Sequence, residues 1–187
     1  MSLRIIGGAF RNRPLKSPKG PQTRPTLAVM RKAVFDILQH KIEDALFLDL
    51  YAGTGAMGLE ALSRGASHST FVETHRSAIQ CLEENFRLFQ VESKCTLMGY
   101  DALLALKRLA KEGRRFDIMY ADPPYRLHLL QEILTFIDAH LLLNPGGTLF
   151  LEEAAPPTLK PETLTHLRHV DTRTFSRSAL HQFQMPG

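Results

Sequence analysis

The chain has 187 residues, 44% of them hydrophobic and 22% charged, which suits one globular domain with enough apolar surface for a full core. No run approaches the roughly 18 consecutive apolar residues of a membrane span, and the stretch from Met1 to Gly8 has no secretory apolar core, so the cytoplasm is expected and a membrane partner is not. Two cysteines, Cys81 and Cys95, and eight scattered histidines exclude a disulfide scaffold and offer no metal-ligand spacing; neither a disulfide nor a metal is expected.

The net charge of +4 is unevenly spread: residues 1–41 carry nine Lys or Arg against one acid, Asp36. This predicts a basic arm and helix over 1–41, ahead of a main domain over 42–187. In the arm, Arg4, Arg11 and Arg13 are interleaved with Leu3, Ile5, Ile6, Phe10 and Leu15, and Gly7-Gly8 and Pro14 break the run. A solvated tail needs no such apolar residues. A hairpin that neutralises nucleic-acid phosphates does, and its binding would weaken with salt. After a linker at Ser17–Pro25, Thr26 can cap a helix with Leu27, Met30, Val34, Ile37 and Leu38 at helical spacing.

From Ala45 the pattern alternates. Strands are predicted at 46–51, 69–73, 94–98, 116–121 and 148–152, and helices at 57–64, 76–89, 102–111 and 129–141. Repeated βα units give an α/β fold, a mostly parallel, doubly wound sheet with helices on both faces. Residues 168–175 and 178–183, joined by Ser176-Arg177, read as a closing antiparallel hairpin.

The run Leu48-Asp49-Leu50-Tyr51-Ala52-Gly53-Thr54-Gly55-Ala56-Met57-Gly58 is a strand entering a glycine-rich turn that opens a helix, where a ligand can approach the backbone and meet free N–H groups. Gly53, Gly55 and Gly58 also satisfy dinucleotide spacing, so a nicotinamide or flavin protein is an alternative. Asp49 argues against it: a carboxylate here would repel a pyrophosphate, but could accept hydrogen bonds from the amino-acid moiety of S-adenosylmethionine. Tyr51, Gly53, Thr54 and Gly55 form the expected cradle. Glu73, eighteen residues after Gly55, stands where an acid would accept from both ribose hydroxyls. Asp101, with Ala102 behind it, could hold an adenine amine or cap the following helix.

The most specific string is Asp122-Pro123-Pro124-Tyr125 at the end of the fourth strand. Two prolines stiffen the loop and keep Asp122 and Pro123 extended. An exocyclic base amine is a poor nucleophile because its lone pair is delocalised. The Asp122 carboxylate and Pro123 carbonyl can hold its hydrogens so that the lone pair faces a methyl sulfonium, while Tyr125 stacks on an extruded base. A carboxylate rather than an amide at 122 favours guanine, whose Watson–Crick edge presents two adjacent donors.

These strings together resemble the RsmD-type family of bacterial 16S rRNA (guanine-N2) methyltransferases. The resemblance rests on Arg4-Ile5-Ile6-Gly7-Gly8 with Arg11 and Leu15, Arg24-Pro25-Thr26 before a helix bearing Arg31 and Phe35, the run Leu48–Ala66, Glu73, and Asp122–Tyr125. It implies a Rossmann-like, seven-stranded class I methyltransferase sheet with a small basic N-terminal extension and S-adenosylmethionine as cofactor. It also implies 16S rRNA as partner, within the small ribosomal subunit or an assembly intermediate, with Arg24 and Arg31 joining the arm's arginines as RNA contacts. A monomer is expected. Departures are Leu27-Ala28-Val29, where the family is polar, and a C-terminal hairpin without the family's glycine and aromatic pattern. Alternatives are an adenine-N6 methyltransferase on DNA or RNA, which usually carries a recognition insertion this chain lacks, and a non-catalytic RNA-binding or ribosome-assembly factor, for which the glycine turn and tetrapeptide would be eroded.

Overall fold

Residues 3–17, 25–124 and 127–187 are described by a computed structural model; of residues 25–27 and 127–128 only the backbone is described. Arg24 and Tyr125 lie outside the described residues.

The strands are β1 (Leu46–Leu50), β2 (His68–Val72), β3 (Cys95–Met98), β4 (Phe116–Ala121), β5 (Leu143–Ala154), β6 (Arg168–Phe175) and β7 (Ser178–Gln184). They form one sheet in the order β3-β2-β1-β4-β5-β7-β6. The first five are parallel, β7 runs antiparallel to β5, and β6 antiparallel to β7. The helices are α1 (Pro25–Ile37), α2 (Ala56–Ser63), α3 (Arg76–Phe89), α4 (Ala102–Lys111) and α5 (Leu127–Ala139). The expected fold class, a mostly parallel seven-stranded sheet ending in an antiparallel hairpin, is the one observed. That hairpin forms without a glycine because Ser176 takes the left-handed turn position, at φ 56.

Successive residues of a central parallel strand face opposite layers, and both layers are apolar. Phe47 belongs with α1, α2 and α3 in one core, through Met30, Val34, Phe35, Leu59, Leu82 and Phe86. Leu48 and Leu50 belong with α4 and α5 in the other, through Ala105, Leu106, Leu109, Ile133, Leu134 and Ile137. Strand β5 begins five residues before its expected start: Leu143 pairs with Phe116, and the register shifts before resuming at Ile118↔Thr148. The Asn144-Pro145-Gly146-Gly147 segment, which reads as a turn, is absorbed by that irregularity.

The basic arm is a short hairpin. Ile5 donates to the Arg13 carbonyl at 3.1 Å, Asn12 to Ile5 at 2.9 Å and Leu15 to Leu3 at 2.9 Å. Its apolar residues Ile5 and Leu15 are buried in the first core. Polar side chains of α2 fix its tip: Glu60 accepts from the Ile6 and Gly7 amides at 2.8 and 2.7 Å, and Ser63 accepts from Phe10 and donates to the Gly7 carbonyl.

Candidate active site

Parallel pairing brings the loops after β1, β2, β4 and β5 to one rim of the sheet, the edge at which open α/β folds bind ligands. In the register, Leu50 is opposite both Val72 and Ala121, so Tyr51 and Asp122 leave adjacent strands side by side.

The glycine turn is built for both packing and access. Gly55 precedes α2 in the left-handed conformation, φ 78, and a Cβ there would come within 2.6 Å of Leu82. A Cβ on Gly58 would come within 2.3 Å of the Phe71 ring. Gly53 is different: a Cβ there meets nothing closer than the Tyr51 carbonyl at 4.0 Å. Only Gly53 faces open space, as a ligand-facing backbone must. Tyr51 itself holds a left-handed φ of 63, and its buried hydroxyl has no hydrogen-bond partner among the described residues.

Asp49 is 2% exposed, and its Oδ2 accepts from the Gly58 amide of α2 at 2.9 Å. The expectation of a direct contact with a cofactor's amino-acid moiety is corrected to an indirect one: the carboxylate is turned into the helix start and holds the turn in place. Burial pushes its pKa up to about 8; the Gly58 N–H opposes this, and the neighbouring Glu73 and Asp122 charges reinforce it. Glu73 Oε2 accepts from Gly53 at 2.8 Å, and Oε1 from Thr74 and His75 at 2.8 Å each. Of the roughly four acceptor sites on a carboxylate, about one is left for a ribose hydroxyl rather than the expected two. Asp101 caps α4 through the Leu103 amide at 3.0 Å, with Ala102 buried behind it.

Beyond β4, Asp122 is half-buried, Pro123 buried and Pro124 exposed. Burial and then the Glu152 carboxylate push the Asp122 pKa up to about 7. The charges acting on Asp49 and Asp122 are those of other carboxylates. A rim where, among the described residues, carboxylates act on one another, the turn exposes Gly53 and the Tyr51 hydroxyl lacks a partner fits a phosphate-free, sulfonium-bearing cofactor better than a pyrophosphate.

The arm's arginines separate. Arg4 and Arg11 are exposed. Arg13 is half-buried, its guanidinium 4.5 Å from the Phe89 ring centroid and bonded to the Leu88 carbonyl at 2.5 Å. Arg31 is a correction: it is 4% exposed, donates to the Arg4 carbonyl at 2.6 Å and sits 3.7 Å from Glu60. Held beneath the arm, it cannot reach a phosphate.

Four residues given no role by sequence reasoning complete the site. Two of them form a pair: Glu152, 2% exposed, receives the hydroxyl of Tyr120 at 2.8 Å. Its signal was the recurrence of acids at the ends of strands, which continues at β5. Asn85, fully buried in α3, donates to the Thr54 carbonyl at 3.0 Å and exchanges bonds with the Lys16 backbone. Glu60 is the fourth, and its register on the buried face of α2 was the available cue.

Comparison with known proteins agrees with this architecture. The family described as Conserved hypothetical protein 95 matches residues 3–184. The chain is similar to Ribosomal RNA small subunit methyltransferase D of Escherichia coli, 34% identical over 171 residues that cover 90% of this chain and 84% of that protein. The solved structure of yhhF from Escherichia coli superposes with a TM-score of 0.82 at 28% identity, over 100% of this chain and 99% of that one. SMU.776, solved in complex with SAH, shares the fold at a TM-score of 0.67 and 13% identity, over 87% of this chain and 50% of that one. With its hairpin, glycine turn and Asp-Pro-Pro loop on this sheet, the chain belongs to the RsmD-type family of methyltransferases.

Proposed function

We propose that the protein transfers the methyl group of S-adenosylmethionine to the exocyclic N2 amine of a specific guanine in 16S rRNA of the small ribosomal subunit, acting as a monomer. The observation that carries this reading is the register of β1 against β4, which sets Asp122 and Pro123 beside the glycine turn. The name of the similar Escherichia coli protein supplies the RNA class.

When bound, S-adenosylmethionine supplies an electrophilic methyl group on a cationic sulfur. The chain's residues do the rest. The Tyr51–Gly55 turn, held by Asp49, receives the amino-acid part; Glu73 accepts from the ribose, and Asp101 with Ala102 borders the adenine. The Asp122 carboxylate and Pro123 carbonyl accept the hydrogens of the guanine edge and fix the amine for in-line attack. Pro124 stiffens the loop, and Tyr125 stacks on the extruded base. Arg4 and Arg11, with Arg13 and Arg24, draw in the phosphate backbone.

The test is incubation with labelled S-adenosylmethionine and either 30S subunits or naked rRNA from a strain lacking the modification, followed by mapping of the labelled nucleotide. Label on guanine N2 of the small-subunit RNA is expected. Label confined to adenine, or to DNA, overturns the proposal.

A further inference from the structure

We propose that Glu152 is a positioning residue for methyl transfer: lying beside Asp122 at the ends of adjacent strands, it carries the resting negative charge of the pair and thereby makes Asp122 a base. This rests on the reading of Asp122 as the residue that meets the amine.

The sheet sets up the pair. Ala121 of β4 is in register with Leu151 of β5, and continuing that register by one residue puts Asp122 next to Glu152. Tyr120 and Phe150, two residues earlier on each strand, share the face that packs on α1 and α2. The two carboxylates therefore project from the same face at the rim. They are provided for unequally. Glu152 receives the Tyr120 hydroxyl at 2.8 Å, while Asp122 receives no donor among the described residues. Hydrogen bonds to the charged form favour that form. Glu152 thus ionises first, although burial raises its pKa too, and its charge then keeps a proton on Asp122 until near neutrality. Other groups lie near the pair: Asp49 of β1, on which the Asp122 charge acts, Arg31 of α1, on which Tyr120 acts, and Leu180 of β7 opposite Glu152.

A general base works best with a pKa near the operating pH, and an aspartate of ordinary acidity is a poor one. In the transfer step, the amine nitrogen forms a bond to the methyl carbon while the carbon–sulfur bond breaks and its electron pair stays on sulfur. The nitrogen, then bearing the methyl and two hydrogens, releases one proton to an Asp122 carboxylate oxygen. Above its pKa Asp122 has given its proton to solvent, and the site before the step holds two carboxylates and a sulfonium, net −1. Afterwards it holds the Glu152 carboxylate, protonated Asp122 and a neutral thioether, again −1. No charge has to enter or leave the buried rim during reaction.

Titration of the full chain by NMR, with carbon-13 in the Asp and Glu carboxyls, tests the pair without substrate. Asp122 is expected to titrate near neutral pH in the unaltered protein and to fall by about one unit or more in Glu152→Gln. In Asp122→Asn, Glu152 is expected to titrate where it did before, because it ionises while Asp122 is still protonated. An Asp122 that titrates in the usual carboxylate range, or that ignores Glu152→Gln, overturns the proposal. So does a large fall of Glu152 in Asp122→Asn, a readout that survives if Glu152→Gln does not fold. In methyl transfer, Glu152→Gln should move the acid limb of kcat down by the same shift and lower the alkaline plateau. A role in folding alone would lower kcat without moving the limb. If no RNA or DNA accepts a methyl group, the proposed function fails, while the carboxyl titrations still decide the pair.

Discussion

Asn85 donates its side-chain amide to the Thr54 carbonyl at 3.0 Å, and through that bond α3 supports the cofactor turn from below. The same nitrogen reaches the Lys16 carbonyl at 3.1 Å, and Oδ1 accepts from the Lys16 amide at 2.9 Å. One buried side chain therefore ties the end of the basic hairpin to the glycine turn. Replacement by leucine leaves the Thr54 carbonyl and the Lys16 amide without this partner, while the Lys16 carbonyl keeps the Cys81 thiol; for part-buried groups the cost is at the low end of about 1–3 kcal/mol each. Asn85→Leu should lower the melting temperature by roughly 4–10 °C and weaken both cofactor and RNA binding. Calorimetry with S-adenosylmethionine and a filter-binding assay with rRNA measure the two losses; unchanged cofactor affinity would show that the turn does not depend on this support.

Gly53 and Gly58 of the turn should fail in different ways. Gly58→Ala drives a methyl group into Phe71 and is expected to cost about 1–3 kcal/mol in stability. Gly53→Ala meets no neighbour and bears only the left-handed backbone penalty, about 1–2 kcal/mol, but puts a methyl group where a ligand would lie. Chemical denaturation and cofactor titration together separate them: stability should fall more in Gly58→Ala, affinity more in Gly53→Ala.

Asp49 and Asp122 are pushed up to about 8 and about 7, so the folded protein binds protons that the unfolded chain has released. Their contribution to stability is complete below the unfolded carboxylate range and is lost as the pH rises through about 7 and then 8. A sulfonium beside them favours the ionised forms, so its binding releases protons. Affinity for S-adenosylmethionine should rise with pH across that window more steeply than affinity for the neutral thioether product. Calorimetry in buffers of different ionisation enthalpy detects the released protons; equal slopes for the two ligands would contradict the assignment.

The arm's exposed arginines act on RNA and its buried contacts act on the fold. Arg4→Ala with Arg11→Ala should weaken rRNA binding and reduce its salt slope by about two, with cofactor affinity nearly unchanged. Glu60→Ala releases the Ile6 and Gly7 amides and leaves Arg64 and Arg31 without their acid, a loss of about 3–5 kcal/mol for a buried pair. Amide exchange in the hairpin should rise in Glu60→Ala and remain slow in the double arginine variant.

Sequence periodicity located α3, α4 and β4 at their observed ends because each has one clear apolar face and a firm stop. It misplaced the start of β5, since Pro145 and two glycines announce a turn that the sheet absorbs as an irregularity. Strand-end acids revealed the rim, but following them only as far as β4 left out Glu152. The resemblance makes Arg31 an RNA contact, although it lies in the stripe of Met30, Val34, Phe35 and Leu38, where α1 is buried. Asn85 occupies the matching stripe of α3 with Cys81, Leu82, Phe86 and Phe89. A polar residue inside an apolar stripe was the legible sign in both cases; what it bonds to depends on a hairpin 27 residues from Arg31 and 69 from Asn85 in sequence, which no local pattern specifies.

The strand order β5-β7-β6 also bears on biosynthesis. When β5 leaves the ribosome, its outer edge has no partner, because the strand that covers it, residues 178–184, is made after β6. Until then the backbone of Thr148–Ala154 is an open edge. The β4–β5 register that sets Asp122 beside Glu152 can form before the β6–β7 hairpin is made, so the catalytic rim is laid out while one edge of its sheet is still open.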